Sequence, residues 1–162
     1  MAYHSQTINE RWFVDIFPVG PLQCNCTIIG DLVLGKCLVF DPGGDAHQII
    51  SRAKIYHLSI EAILCTHAHF DHILAAGILH ELTGALIFLN NHDLTLWQAL
   101  DQQCDLFNIP YLPIIDPHKT LRDEQDLPCC DGVAIHTPGH TPGSMSFWFA
   151  SAELLIAGDT LF

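Results

Sequence analysis

Along the first quarter of the chain, apolar residues come in short blocks cut by turn formers, which is the pattern of strands rather than helices. Trp12 to Val19 reads as one strand, broken by Pro18, Gly20 and Pro21. Cys26 to Ile29 and Cys37 to Phe40 are further buried-type runs, with turn signals at Gly30-Asp31 and Gly35-Lys36 on either side of Leu32 to Leu34. A β-meander is expected, closed by Asp41-Pro42-Gly43-Gly44. The period then lengthens. Ile49, Ile50, Ala53 and Tyr56 share one helical face, and Asp45 is placed to cap that helix. Ile60 to Cys65 is a strand, Ala75 to Leu82 a helix ended by Thr83-Gly84, and Leu86 to Leu89 the next strand, a strand-helix-strand unit of α/β type. Asn91 to Cys104 has helical spacing, with Leu94, Trp97 and Leu100 expected in the core. The proline-rich stretch Asn108 to Pro117 reads as a loop able to border a cleft, and Leu121 to Asp131 as acidic and irregular. Val133 to Thr137, Ser144 to Phe149 and Leu154 to Ala157 supply the last strands.

Composition narrows the field. With 162 residues, 49% of them hydrophobic, one domain spanning 1–162 with a sizeable core is expected. A net charge of −12, from 18 acids against 6 bases, argues against nucleic-acid and anionic-membrane partners. Met1 to Arg11 lacks the basic start and apolar stretch of a signal peptide, and no run approaches the ~20 residues of a membrane span, so a cytoplasmic protein is expected. Neither Cys24-x-Cys26 nor Cys129-Cys130 has the spacing of a zinc knuckle, and the seven cysteines are expected to be free thiols.

The chemistry is concentrated in Thr66-His67-Ala68-His69-Phe70-Asp71-His72, directly after the apolar run Ala62 to Cys65. In extended backbone His67, His69 and Asp71 would point one way and His72 the other, so the chain has to bend if all four serve one site. A helix starting near Asp71 would let His67 and His69 share one metal while Asp71 and His72 face a second. Imidazole with carboxylate suits zinc, iron or manganese. Two later pieces add donors at strand ends. His140 sits in the Pro/Gly-punctuated loop Thr137 to Ser144, and Asp159 follows the apolar run Leu154 to Ala157. His4, His47, His57, His80, His92 and His118 are isolated, and His136 lies on a strand; none is nominated.

Taken in order, Asn25-Cys26-Thr27-Ile28-Ile29, Phe40 to Asp45, His67 to His72, Thr137 to Ser144 and Gly158 to Phe162 resemble the metallo-β-lactamase-fold hydrolases, most closely their glyoxalase II-like (hydroxyacylglutathione hydrolase-like) branch. The resemblance implies an αβ/βα sandwich, two sheets face to face with helices outside and metals at one sheet edge. It implies that His67, His69 and His140 bind one ion, that Asp71 and His72 bind another, and that Asp159 bridges them. Asp71 would also orient the attacking water, and Asp41 would support the ligands from behind. The implied activity is hydrolysis of a small-molecule thioester by hydroxide on one or two zinc ions, with iron or manganese possible. An iron persulfide dioxygenase, or a metal-binding domain without turnover, are the alternatives. The chain departs from the pattern in ending three residues after Asp159, before the further sheet, helix and Gly-His-Gly segment of such proteins. The sandwich is therefore expected to be incomplete at the C-terminus, with exposed apolar surface that could favour a homo-oligomer. The basic residues that would meet an anionic thiol such as glutathione are also missing after Gly158-Asp159-Thr160.

Overall fold

The computed structural model describes residues 4–111 and 114–161. Strands β1 (His4–Thr7), β2 (Trp12–Val19), β3 (Cys24–Asp31) and β4 (Lys36–Phe40) pair antiparallel in sequence order. Strands β5 (Ser59–Leu64), β6 (Leu86–Leu89) and β7 (Lys119–Thr120) extend the same sheet in parallel. Parallel neighbours need crossovers, which α1 (Ala46–Ile55) and the α2–α3 pair, Phe70–Ile73 and Ala76–Thr83, provide. Helices α4 (Leu94–Gln98) and α5 (Leu100–Leu106) precede β7. A second, antiparallel sheet has the order β11-β10-β9-β8, from Leu154–Ile156, Met145–Phe149, Gly132–His136 and Gln125–Asp126.

Strand alternation sorts the core into two layers. Cys37, Val39, Ile63 and Ile87 face Ile49, Ala53, Leu79, Trp97 and Leu100 of the helices, whereas Leu38, Phe40, Ala62 and Leu64 face Ala134, Met145, Phe147 and Phe149 of the second sheet. Helix, sheet and sheet therefore stack as three layers. On the outer face of the second sheet Ile135, Trp148 and Leu155 are exposed, so the second helical layer of an αβ/βα sandwich is not built by the described residues, as the departure from the pattern led one to expect. None of the described helices is long and apolar enough to cross a membrane, and all seven cysteines are free.

Several local readings change. Residues 4–7 form β1, a strand not expected within Met1 to Arg11. Gly30 and Asp31 lie inside β3, and the turn falls on residues 32–35 because the Asp31 carboxylate accepts from the Val33 and Leu34 amides, both at 3.0 Å. Asp45 stands before α1 but does not cap it. At φ 52 its carboxylate turns away and accepts from the Gly20 amide at 2.8 Å. The helical stretch after β6 is a 3-10 turn (Asn91–Asp93) and two helices that meet at Ala99, and Leu94 is only half-buried. The acidic stretch read as irregular contains β8. In the loop over 108–117, residues 112 and 113 lie outside the described residues, while the Trp97 indole donates to the Ile115 carbonyl at 3.1 Å.

Candidate metal centre

The site is assembled where β4 and β5 end side by side. Asp41, the residue after β4, has a left-handed backbone at φ 51, which is uncommon for a residue with a side chain. Its conformation is locked by what its carboxylate accepts: the Thr66 amide on Oδ1 at 2.7 Å, and on Oδ2 the Thr66 hydroxyl at 2.7 Å and His72 Nδ1 at 3.0 Å. Because the Thr66 hydroxyl donates to Asp41, its oxygen is left to accept from His67 Nδ1, 3.0 Å away. That fixes the tautomer of His67 with a bare lone pair on Nε2, the form a metal requires. Asp41 thus orients His67 through Thr66 and His72 directly.

The bend demanded by the motif follows. After β5, His67 and His69 occupy a loop, and α2 begins at Phe70, so Asp71 and His72 project from its first turn. This turn lies against bare backbone. A Cβ on Gly43 would fall 1.6 Å from the Asp71 carbonyl oxygen, and one on Gly20 would fall 2.3 Å from the Gly43 carbonyl oxygen. Only glycine permits that approach.

His140 arrives from the loop between β9 and β10, and that loop is fastened to the His67 loop by Asp93. The buried Asp93 carboxylate accepts from the Ala68 amide at 3.1 Å, the Thr141 hydroxyl at 2.7 Å and the Gly143 amide at 2.7 Å. Asp159 comes from the 3-10 turn after β11, where Gly158 at φ 50 packs against Thr66.

All six nominated donors converge. His67 Nε2 is 3.0 Å from His69 Nδ1, and His140 Nε2 is 2.9 Å from the same atom. Ligands on one tetrahedral zinc, at 2.0–2.1 Å each, would be about 3.3 Å apart, so these two spacings are within a few tenths of an ångström of that value, and all three nitrogens lie within 4.8 Å of one another. Asp159 lies between two clusters, with Oδ2 at 3.4 Å from His140 Nε2 and Oδ1 at 3.5 Å from His72 Nε2. Asp71 Oδ2 is 3.7 Å from His72 Nε2. His67, His69 and His140 form one group able to hold an ion, and Cys24, Asp71 and His72 another. His136 stays outside and bonds the Pro142 carbonyl oxygen at 3.0 Å. Two participants were missed from sequence. Strand parity with the buried Cys26 would have put Cys24 on the face of β3 that meets α2; for Asp93 the letters offer no such signal.

The electrostatics separate the two groups. Burial, reinforced by the neighbouring His72, His69 and His140, pushes His67 down to about 2, and burial likewise lowers His69. Burial also opposes charge on His72, but the adjoining Asp41 carboxylate outweighs it and carries His72 up to about 11. For the metal-free chain the signs are opposite. Below the ordinary value of 6.5 the unfolded chain protonates His67 and the folded one does not, so stability falls as pH drops from 6.5 toward 2. His72 stabilises fully below 6.5, and that contribution is lost as pH rises toward 11. Metal-free protein is therefore expected to have its highest melting temperature near pH 6.5. A metal ion requires neutral His72, so loading should abolish the alkaline decline. Thermal scans across pH with and without metal check this, and identical profiles would contradict it.

Cys24, Asp71 and His72, together with Asp159, open onto a cleft of about 610 Å³ that is also lined by Ile16, Gln23, Asn25 and Leu154 to Gly158. Asp41, Asp71 and Asp159 contribute to its wall, and no Lys or Arg is among its described lining residues.

Comparison with known proteins agrees with this geometry. The Metallo-beta-lactamase superfamily profile matches residues 19–162. Hydroxyacylglutathione hydrolase GloC of Haemophilus influenzae is 33% identical over 153 residues, covering 92% of this chain and 72% of the relative. Among solved structures, BLEG-1 B3 metallo-beta-lactamase superposes with a TM-score of 0.81 at 32% identity, over 92% of this chain and 73% of that one. TTHA1623 in a di-iron-bound form gives 0.78 at 28% identity, over 90% and 71%.

Proposed function

The chain belongs to the metallo-beta-lactamase superfamily, and from that premise we propose that it is a metal-dependent hydrolase acting on a thioester. The observation that carries the reading is the convergence of His67, His69 and His140 around one point, with Asp159 reaching from there toward His72. The donor set fits a divalent cation: three nitrogens at near-ligand spacing, one of them with its lone pair fixed by Thr66 and Asp41. Zinc is the ion we assign, and iron or manganese would also be accepted by imidazole and carboxylate.

A cation in this position lowers the pKa of a water from 15.7 to ~7 and polarises a carbonyl oxygen. The chain's own residues do the rest. Asp71, half-buried at the mouth of α2, accepts a hydrogen bond from the attacking water and aims it at the carbonyl carbon. Asp41 holds His72 and, through Thr66, His67, so that neither ring has to reorganise during the reaction. The cleft accommodates the acyl and thiol portions on either side.

Thioester specificity is supported by the likeness to GloC, which is named a hydroxyacylglutathione hydrolase. The acidic cleft wall, however, offers no cation to glutathione's carboxylates among its described residues, so we assign the preference to a thioester with an uncharged thiol portion. The test is hydrolysis of a panel: a hydroxyacylglutathione, an uncharged acyl thioester and a β-lactam, each with and without chelator. Chelator-sensitive cleavage, fastest on the uncharged thioester and restored by zinc, iron or manganese, is the expected result. Chelator-insensitive cleavage, cleavage of the lactam alone, or oxygen uptake with a persulfide in place of hydrolysis would overturn it.

A further inference from the structure

We propose that Cys24 is a thiolate ligand in the second cation position, sharing an ion with Asp71 and His72. This rests on the metal-dependent reading above but concerns a donor that the motif does not contain. Cys24 opens β3, just after Gln23 at φ 57 turns the chain into the strand. Its Sγ lies 3.4 Å from both nitrogens of the His72 ring. Asp41 engages Nδ1, so Nε2 is the nitrogen left for an ion. A sulfur at about 2.3 Å and a nitrogen at 2.0–2.1 Å from one tetrahedral zinc are about 3.6 Å apart, so Sγ is within reach of an ion on Nε2 and joins it by rotating away from Nδ1. Asp71 Oδ2 reaches to 3.7 Å of the same Nε2, and a donor atom of each of the three residues lies within 4.8 Å of the others.

The remaining cysteines are disposed differently. Cys26, Cys37, Cys65 and Cys104 are buried in apolar layers, and Cys129 and Cys130 face one another with Sγ atoms 3.7 Å apart. Cys24 is half-buried and lines the cleft beside Asp71 and His72. Its other contact is the Asn25 carbonyl oxygen at 3.9 Å. On binding, the thiol proton passes to solvent. A soft donor here, absent from the three-histidine position, makes the second position the more zinc-selective of the two against iron or manganese.

Cobalt(II) titration of the whole chain provides the test, because thiolate coordination gives an intense near-ultraviolet charge-transfer band that imidazole and carboxylate do not. The band is expected with the second equivalent of cobalt. Cys24→Ser should remove it and weaken the second ion roughly 10–100-fold, leaving the first unchanged. In the unmutated protein, alkylation of Cys24 followed by peptide mapping should proceed without metal and be blocked with it, which needs no variant to fold. Two bound ions without the band, a band that survives Cys24→Ser, or alkylation indifferent to metal would overturn the proposal. So would a single bound ion without the band, although the three-histidine position would then stand. Failure to bind any ion would remove the hydrolase reading as well.

Discussion

His140→Ala is expected to lower kcat/KM by roughly 10³-fold or more while leaving the melting temperature of the metal-free protein nearly unchanged. The two halves of that expectation have different causes. His140 is solvent-exposed in its loop, so truncation removes little buried surface, and substitutions at such positions usually shift stability by within about 0.5 kcal/mol. Its Nε2, however, stands 2.9 Å from His69 Nδ1 and 3.4 Å from Asp159, where it is one of three imidazoles around a common point. Without it a cation there is left with two nitrogens, and the roughly nine-unit drop in the pKa of water that the proposed chemistry relies on is lost with the ion. Metal analysis of the variant beside steady-state kinetics would check this. Wild-type activity with an unchanged metal content would dismantle the site assignment.

Asp93→Ala is expected to fail in the opposite manner, losing stability first. The substitution strands the Ala68 amide, the Thr141 hydroxyl and the Gly143 amide, all of which donate to this one buried carboxylate. A buried donor without a partner costs about 1–3 kcal/mol, and three that partly rehydrate should cost about 3–5 kcal/mol together. Metal affinity should fall as well, because Asp93 is what holds the His67 loop and the His140 loop at a fixed separation. Asp93→Asn keeps the shape and one acceptor oxygen, so an intermediate loss is expected. Denaturant midpoints and metal titrations of the two variants distinguish this from a merely local role; a stable Asp93→Ala protein with full metal affinity would refute it.

These two residues mark what can and cannot be read from the chain. His140 was legible because its chemistry is written locally, as a histidine bracketed by Pro138, Gly139, Pro142 and Gly143 at the end of a strand pattern. Asp93 was not, because its partners lie 25 to 50 positions away and only the fold brings them together. Strands with a long apolar run behave like His140: β2 occupies the residues its pattern marks, and β5 lies one position from its expected bounds. Short strands behave like Asp93. The two-residue strands β7 and β8 take their geometry from β6 and β9 beside them, so nothing in Lys119–Thr120 or Gln125–Asp126 announces them. Asp45 shows the same conflict at one residue, where the sequence offers a helix cap and the fold diverts the carboxylate to Gly20. The metal-site motif itself was readable as a group of donors. Its division into two groups was readable too, once a helix was expected near Asp71; what the letters do not show is that Gly43, 28 positions upstream of Asp71, is what lets the chain turn there.

That backbone-on-backbone contact also sets where the cleft can be altered. Gly20, Gly43 and Gly44 touch main chain rather than side chain, so the floor beneath α2 has no rotamers to retune. The cleft lining includes Ile16, Gln23, Asn25, Leu154 and Leu155, residues that carry side chains able to change. Libraries aimed at new acyl groups should diversify those positions and leave the three glycines fixed.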